Sequence, residues 1–276
     1  MTRPPRAAAT DPPRPRLAAP SISKLRSHAR PTSRIIRMYD AAIAELAPTG
    51  VLRAGINLSN FLLVSGRGAG GEPVGVAPDM AAEIAARLGV PVTYVTFPRP
   101  GELADAVGAW DIGLIAAEPA RAETIAFSPA YVEIEATYLV PAGSPLTTIA
   151  EVDRPGVRIA VTARAAYDLW LSRHIRHAEL IRSESLDAAC EQFIADRLDA
   201  LAGLKPRLLQ DLEKLPGARI LDGKFTAVQQ SIGTAKTNET NAAFLRDFVE
   251  DAKASGLIAR LIERHQVRGL SVAPPG

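Results

Sequence analysis

The chain has one cysteine, Cys190, among 276 residues. No intramolecular disulfide can form, so the fold must be held by packing rather than by cross-links. Cys190 sits in a run with helical spacing, Ala188-Ala-Cys-Glu-Gln-Phe193, where a small buried apolar residue is expected. No apolar run approaches the roughly 18 residues of a membrane-spanning helix, which predicts a soluble chain with no direct membrane insertion. Four histidines, at 28, 174, 177 and 265, lack metal-ligand spacing, and no metal or other cofactor is expected. His174 and His177 read as solvated residues of an arginine-rich helix. There is no G-x-S-x-G elbow, no HExxH and no CxxC, and no Ser–His–Asp order stands out, so no catalytic signature is present.

What is present is unevenly distributed. The formal charge is +2, yet nine of the 32 basic residues and one of the 30 acidic residues fall in 1–37. Residues 38–276 therefore carry 23 basic and 29 acidic residues, a net −6, which argues against nucleic acid as a partner. Residues 1–37 also hold seven of the 22 prolines and no aromatic residue, and read as a disordered basic tail. The tail has no apolar core of the length that a secretory signal needs. A targeting arm is one reading of it; a true start at Met38 is the reading preferred.

The body alternates strand and helix signals. Val51–Ile56 and Val90–Phe97 read as strands, as does the apolar run Asp111–Ala116. Between the first two, Met80, Ile84 and Leu88 form one stripe of a helix that ends at Gly89, with Pro78 and Asp79 in its first turn. Ser65–Gly71 (SGRGAGG) lacks phosphate-loop spacing and reads as a flexible turn. Glu102–Val107 reads as a short helix. A second series follows Pro145: strand 156–161, helix 165–177 burying Leu169, Trp170 and Ile175, strand 179–182, and a helix capped by Ser185 with Leu186, Ala189, Cys190 and Phe193 on one face. Strand 199–203 and a helix through Leu208, Leu209 and Leu212 come next. Val228–Gly233 reads as a returning strand, helices 241–254 and 257–265 close the body, and Gly269–Gly276 is expected to fray. This rhythm implies parallel sheets with right-handed crossovers.

The most informative stretch is WDIGLIAAEPARAETIAFSPAYVEIEATYLVPAGSP, from Trp110 to Pro145. It is a buried strand, then a small-residue loop, then Arg121, then Phe127-Ser-Pro-Ala-Tyr131. An arginine just past a strand's carboxyl end is a recurring ligand-site geometry in open α/β sheets. The pattern W-D-apolar-loop-P-x-R-A-x-x-I-x-F-S-x-x-Y resembles that of the type II solute-binding proteins of ABC transporters, the bacterial family 3 amino-acid binders. "Thr-Gly-Val-Leu-Arg" before the first strand, and the G-V-x-x-D, helix, L-G-V succession, add to the likeness, which extends from Val51 to about His265.

The resemblance implies an α/β, two-lobed type II periplasmic-binding-protein-like fold. Each lobe would be a doubly wound sheet with flanking helices, with the ligand cleft between them. Lobe 1 would be 45–137 with 231–266, and lobe 2 would be 138–230. Arg121 inherits the grip on the ligand's carboxylate. Around it the expected ligand-binding residues are Asn57, Asn60, Ala116, Ala117, Glu118, Thr162, Arg164, Tyr167, Lys205 and Gln230. Arg164 is either a second positive charge at the site or solvated; Tyr167 either lines the pocket or packs its helix. In the amino-acid binders an aspartate near the end of the 199–203 strand meets the ligand's ammonium; the corresponding position here is Leu204.

The implied activity is therefore capture, for ABC-type uptake, of a small carboxylate, either an amino acid or an organic acid lacking the ammonium. The partner would be an ABC permease, the chain a monomer, and the compartment periplasmic by resemblance, although no signal peptide is visible and the cytoplasm is the alternative. The same architecture hosts lyases of the cyclohexadienyl or arogenate dehydratase kind, for which Glu118 is the one carboxylate well placed as acid. Regulator effector domains share it too, but a tail of this composition supplies no DNA-binding helix-turn-helix.

Overall fold

The computed structural model describes residues 41–237 and 239–276. The expectations for the tail, for Met38 and for His28 lie outside those residues. Residues 41–46 form helix α1. Strand β1 (Leu52–Asn57) leads through a hairpin of β2 (Gly66–Arg67) and β3 (Pro73–Val74) into α2 (Val76–Leu88), β4 (Val92–Phe97), α3 (Pro100–Asp105) and β5 (Ile112–Ala116). β6 (Ile125–Phe127) and the long β7 (Val132–Val140) follow. Next come β8 (Arg158–Thr162), α4 (Ala166–His174), β9 (Glu179–Ser183), α5 (Leu186–Ala195), β10 (Ala200–Leu204) and α6 (Lys205–Leu212). The chain returns through β11 (Arg219–Ile220) and β12 (Thr226–Ala235) to α7 (Glu239–Ala254), α8 (Leu257–Arg264) and β13 (Ser271–Val272). Among the described residues no helix is long and apolar enough to cross a membrane.

One sheet runs through the body in the order β4-β1-β5-β12-β7-β10-β8-β9. β4, β1 and β5 are parallel, and so are β10, β8 and β9, because a helix separates each successive pair in the chain. Between these trios lie β12 and β7, antiparallel to each other and to the strands they border. β5 is buried along its whole length, as its unbroken apolar run requires.

The two long strands also pass between two cores. Val132 of β7 and Ile232 of β12 pack in the first, with Leu52, Met80 and Phe248. Ile134 and Val228 pack in the second, with Ile159, Val161 and Leu171. The switch thus falls within a few residues on each strand, between the parallel trios.

The join of β1 to β5 is built from two pairs that are distant in sequence, Trp110 with Gly55 and Asp111 with Arg53. Trp110 lies over Gly55, where an added Cβ would stand 3.0 Å from the indole, and its Nε1–H donates to the Leu103 carbonyl at 3.0 Å. The next residue, Asp111, is buried and accepts from the Arg53 amide at 2.8 Å and from the Arg53 guanidinium at 2.7 Å. Asp111→Ala would orphan the Arg53 amide. It is expected to cost about 2 kcal/mol, seen as a melting temperature lower by about 4–8 °C; an unchanged melting temperature would show the pair to be idle.

Several local expectations hold. The stripe Met80, Ile84 and Leu88 is buried and Gly89 ends α2 in the left-handed conformation. Ser185 caps α5, its hydroxyl accepting from the Ala188 amide at 3.1 Å, and Cys190 is buried, with burial pushing its thiol pKa up. Others need correction. The SGRGAGG segment supplies β2 and the turn of the β2–β3 hairpin, so its turn is held by the pairing of Gly66↔Val74 and Arg67↔Pro73 rather than loose. α4 buries Ala166, Tyr167, Asp168 and Leu171; Leu169 and Trp170 are half-buried, and so is Ile175, which is already extended because the helix ends at His174. Trp170 instead stacks on His174, ring centroids 3.7 Å apart. Leu209 is 51 % exposed, since α6 is short and buries Leu208. The end of the chain does not fray: β13 pairs with Glu133 and Val132 of β7, and the Ala273 amide donates to the Tyr131 carbonyl at 3.1 Å.

Candidate functional site

The carboxyl ends of all six parallel strands meet around one cavity of about 570 Å³. From the first trio come Asn57 and Asn60 after β1, Pro98–Pro100 after β4, and Ala116 at the end of β5. From the second come Thr162, Ala163, Ala165 and Ala166 at the end of β8, Glu184–Asp187 after β9, and Leu204 with Arg207 at the end of β10. Val228 and Gln230 of β12 complete the wall. Strand carboxyl ends gather exposed loop backbone and helix N-termini, so they are where a ligand meets many donors at once.

Arg121 dominates this site. It begins a single 3-10 turn after β5 and is only 5 % exposed. Its Nη1 donates to the Ala116 carbonyl at 2.8 Å and its Nη2 to the Arg164 carbonyl at 3.0 Å. Both acceptors are neutral. Burial pushes its pKa down to about 10, with the Arg164 charge acting in the same direction and Glu118 opposing, so it stays cationic at neutral pH. Among the described residues it makes no ion pair, since the Glu118 carboxylate is taken by Arg173 at 2.7 Å. A buried cation without a counter-ion is costly and is relieved by an anion entering the cavity.

The opposite wall offers backbone donors. Helix α4 starts at Ala166, and its first-turn amides have no intrahelical acceptor. Ala163, Ala165 and Ala166 are small enough for an anion to approach that turn, where the helix dipole also favours negative charge. Tyr167, half a turn in, is buried against Thr162, with burial pushing its pKa up to about 12.

Of the residues singled out from the sequence, Asn57, Asn60, Ala116, Arg121, Thr162, Tyr167 and Gln230 come together on the cavity. Ala117, Glu118, Arg164 and Lys205 do not line it. Ala117 donates its amide to Gln229. Glu118 is engaged by Arg173, Lys205 reaches Glu135 of β7 at 3.2 Å, and Arg164 reaches Asp105 of α3 at 2.6 Å. Each of the three charged side chains found a nearer opposite charge on a neighbouring element. Tyr131 of the sequence motif is a fully buried core residue.

The sequence reading missed the β4 and β9 ends of the site. Arg99 pairs with Glu102 at 2.6 Å and reaches Glu184 across the cavity mouth at 3.4 Å. It also missed Arg207, which is held between Asp211 at 2.9 Å and Asp187 at 2.6 Å. Applying the strand-end rule to every parallel strand would have found them. Among the described residues no group of His, Cys, Asp or Glu has the arrangement of a metal site.

The comparisons agree with this architecture. The model of the bacterial extracellular solute-binding proteins, family 3, matches residues 58–267. A mutant of ArgBP from T. maritima superposes with a TM-score of 0.66 at 23 % identity, over 82 % of this chain and 100 % of that one. An amino acid ABC transporter substrate-binding protein from Streptococcus pneumoniae, bound to L-arginine, gives 0.65 at 18 % identity, over 84 % and 99 %. The ancestral amino acid-binding protein AncCDT-1, a precursor of cyclohexadienyl dehydratase, gives 0.65 at 21 % identity, over 80 % and 98 %. No curated protein sequence matches the chain.

Proposed function

The chain belongs to family 3 of the bacterial extracellular solute-binding proteins, and from that premise we propose that it captures a small carboxylate in the cleft between two lobes, for uptake by an ABC permease. The observation that carries the ligand class is Arg121, a buried guanidinium on the cavity that has no anionic partner among the described residues. The lobes are 45–137 with 231–266, and 138–230. The change of core along β7 and β12 supports a hinge on those two strands. A ligand touching both walls favours the closed form, and the closed form is what the permease recognises. The compartment is the periplasm, by family.

Leu204 narrows the ligand further. It stands on the cavity wall where the family's amino-acid binders present a carboxylate, so the favoured ligand is an organic acid without an α-ammonium. The solved relatives hold amino acids such as L-arginine, so an amino acid is the nearest competitor. A lyase reading has less support. Glu118 is outside the cavity lining and bound to Arg173, and Glu184, on the lining, has a side chain 90 % exposed at the mouth.

The test is a thermal-shift and calorimetry screen of mono- and dicarboxylic acids beside their α-amino counterparts. A ligand present at about 100 times its Kd should stabilise the protein by roughly 2.7 kcal/mol. If no carboxylate of either kind stabilises it, the reading fails.

A further inference from the structure

Arg164 sits at the entrance of α4 with a left-handed backbone, φ 59°, uncommon for a residue that carries a Cβ. Its amide donates to the buried Asp168 carboxylate at 2.7 Å, and Arg182 holds that carboxylate from the other side at 2.9 Å. The turn so fixed sends the two ends of Arg164 in different directions. Its carbonyl accepts from Nη2 of Arg121 at 3.0 Å. Its side chain leaves the cavity and crosses to α3, where the guanidinium meets both Asp105 oxygens, at 2.6 and 2.8 Å, and donates to the Gly101 carbonyl at 3.3 Å. Gly101 is needed for that approach, because a Cβ there would come within 2.8 Å of Arg164 Cζ. α3 packs on the β1–β4–β5 trio, and α4 follows β8 in the other.

We propose that Arg164 is a positioning residue: its fork onto Asp105, seated over Gly101, clasps the two lobes together, and its carbonyl holds Arg121 in the pose that meets the ligand. The inference rests on the capture reading above. Two-pronged arginine–carboxylate contacts add direction as well as attraction. The pair is exposed, with side chains 55 % and 63 % accessible, so its contribution is small and screened by salt. A small contribution is what a reversible clasp requires, since it biases closure without locking the cleft.

The experiment uses the ligand-free protein, so it is independent of which ligand binds. Donor and acceptor dyes are attached through Ala86→Cys on α2 and Glu191→Cys on α5, in a Cys190→Ala background. Single-molecule energy transfer then gives the closed-to-open ratio at about 0.02 M and about 0.5 M salt, where screening is weak and strong. In the wild-type sequence the ratio should fall as salt rises. Asp105→Asn, and separately Gly101→Ala, which moves no charge, should lower the low-salt ratio about two- to five-fold. The exchange Arg164→Asp with Asp105→Arg should recover part of it. An unchanged ratio in both single variants, or a single distance population insensitive to salt, would overturn the clasp. The ligand screen is unaffected by that result, so failure of the clasp and failure of the capture reading are told apart.

Discussion

Arg121→Ala is expected to abolish ligand-induced stabilisation while leaving the ligand-free protein folded. The guanidinium is buried, is satisfied only by two carbonyls, and has no carboxylate partner among the described residues. Without ligand it is a cost to the fold, so its removal should leave the ligand-free melting temperature equal or higher. With ligand, the lost contact is a charge-assisted one on a desolvated wall. At about 100 times the wild-type Kd the wild-type protein should gain roughly 2.7 kcal/mol and the alanine variant close to none. Arg121→Lys should also bind poorly. An ammonium cannot reach the Ala116 and Arg164 carbonyls and the ligand together as a planar fork does. Equal ligand-induced shifts in wild type and Arg121→Ala would remove Arg121 from the site.

How much of this was legible in the sequence depends on whether a residue's partner is near or far along the chain. The strand and helix rhythm, the α2 stripe and the Ser185 cap all follow from spacing within about a dozen residues, and Arg121 was singled out by the resemblance of its surrounding motif to the solute-binding family. The fates of Glu118, Arg164 and Lys205 do not. Their partners, Arg173, Asp105 and Glu135, lie on other elements and are distant in sequence. The contact between Arg164 and Asp105 exists only once α3 and α4 face each other. Arg207 was hidden for a related reason. It looks like an ordinary exposed helix residue until Asp187 of α5 and Asp211 of its own helix close on it. The pairing of β13 with β7 is a further long-range event: Ser271 and Val272 carry no local signal for it.

The screen on the wild-type protein is expected to rank a carboxylic acid above its α-amino counterpart, and Leu204→Asp is expected to narrow or reverse that order. Leu204 lines the cavity and is 9 % exposed, so an ammonium lodged beside it would lose water and find an apolar neighbour. An unpaired ammonium in such a place costs several kcal/mol, whereas a charge-assisted partner returns about 1.5–3 kcal/mol. The carboxylates on the cavity lining are already engaged, Asp187 by Arg207 and Glu184, at the exposed mouth, by Arg99. The substitution has a second consequence, because Leu204 is also the N-cap of α6 and its side chain provides no cap. An aspartate there can accept from the first-turn amides and should raise ligand-free stability by about 1 kcal/mol, or about 2–4 °C. Leu204→Asn separates the two effects, since asparagine caps as well as aspartate but carries no charge. The asparagine variant should share the gain in melting temperature and keep the preference for the acid. Only the aspartate variant should shift towards the amino acid, and its shift should weaken below the carboxylate's pKa. If an amino acid binds the wild-type protein tightest and Leu204→Asp leaves the order unchanged, the ammonium is being met elsewhere in the cleft and Leu204 does not set the selectivity.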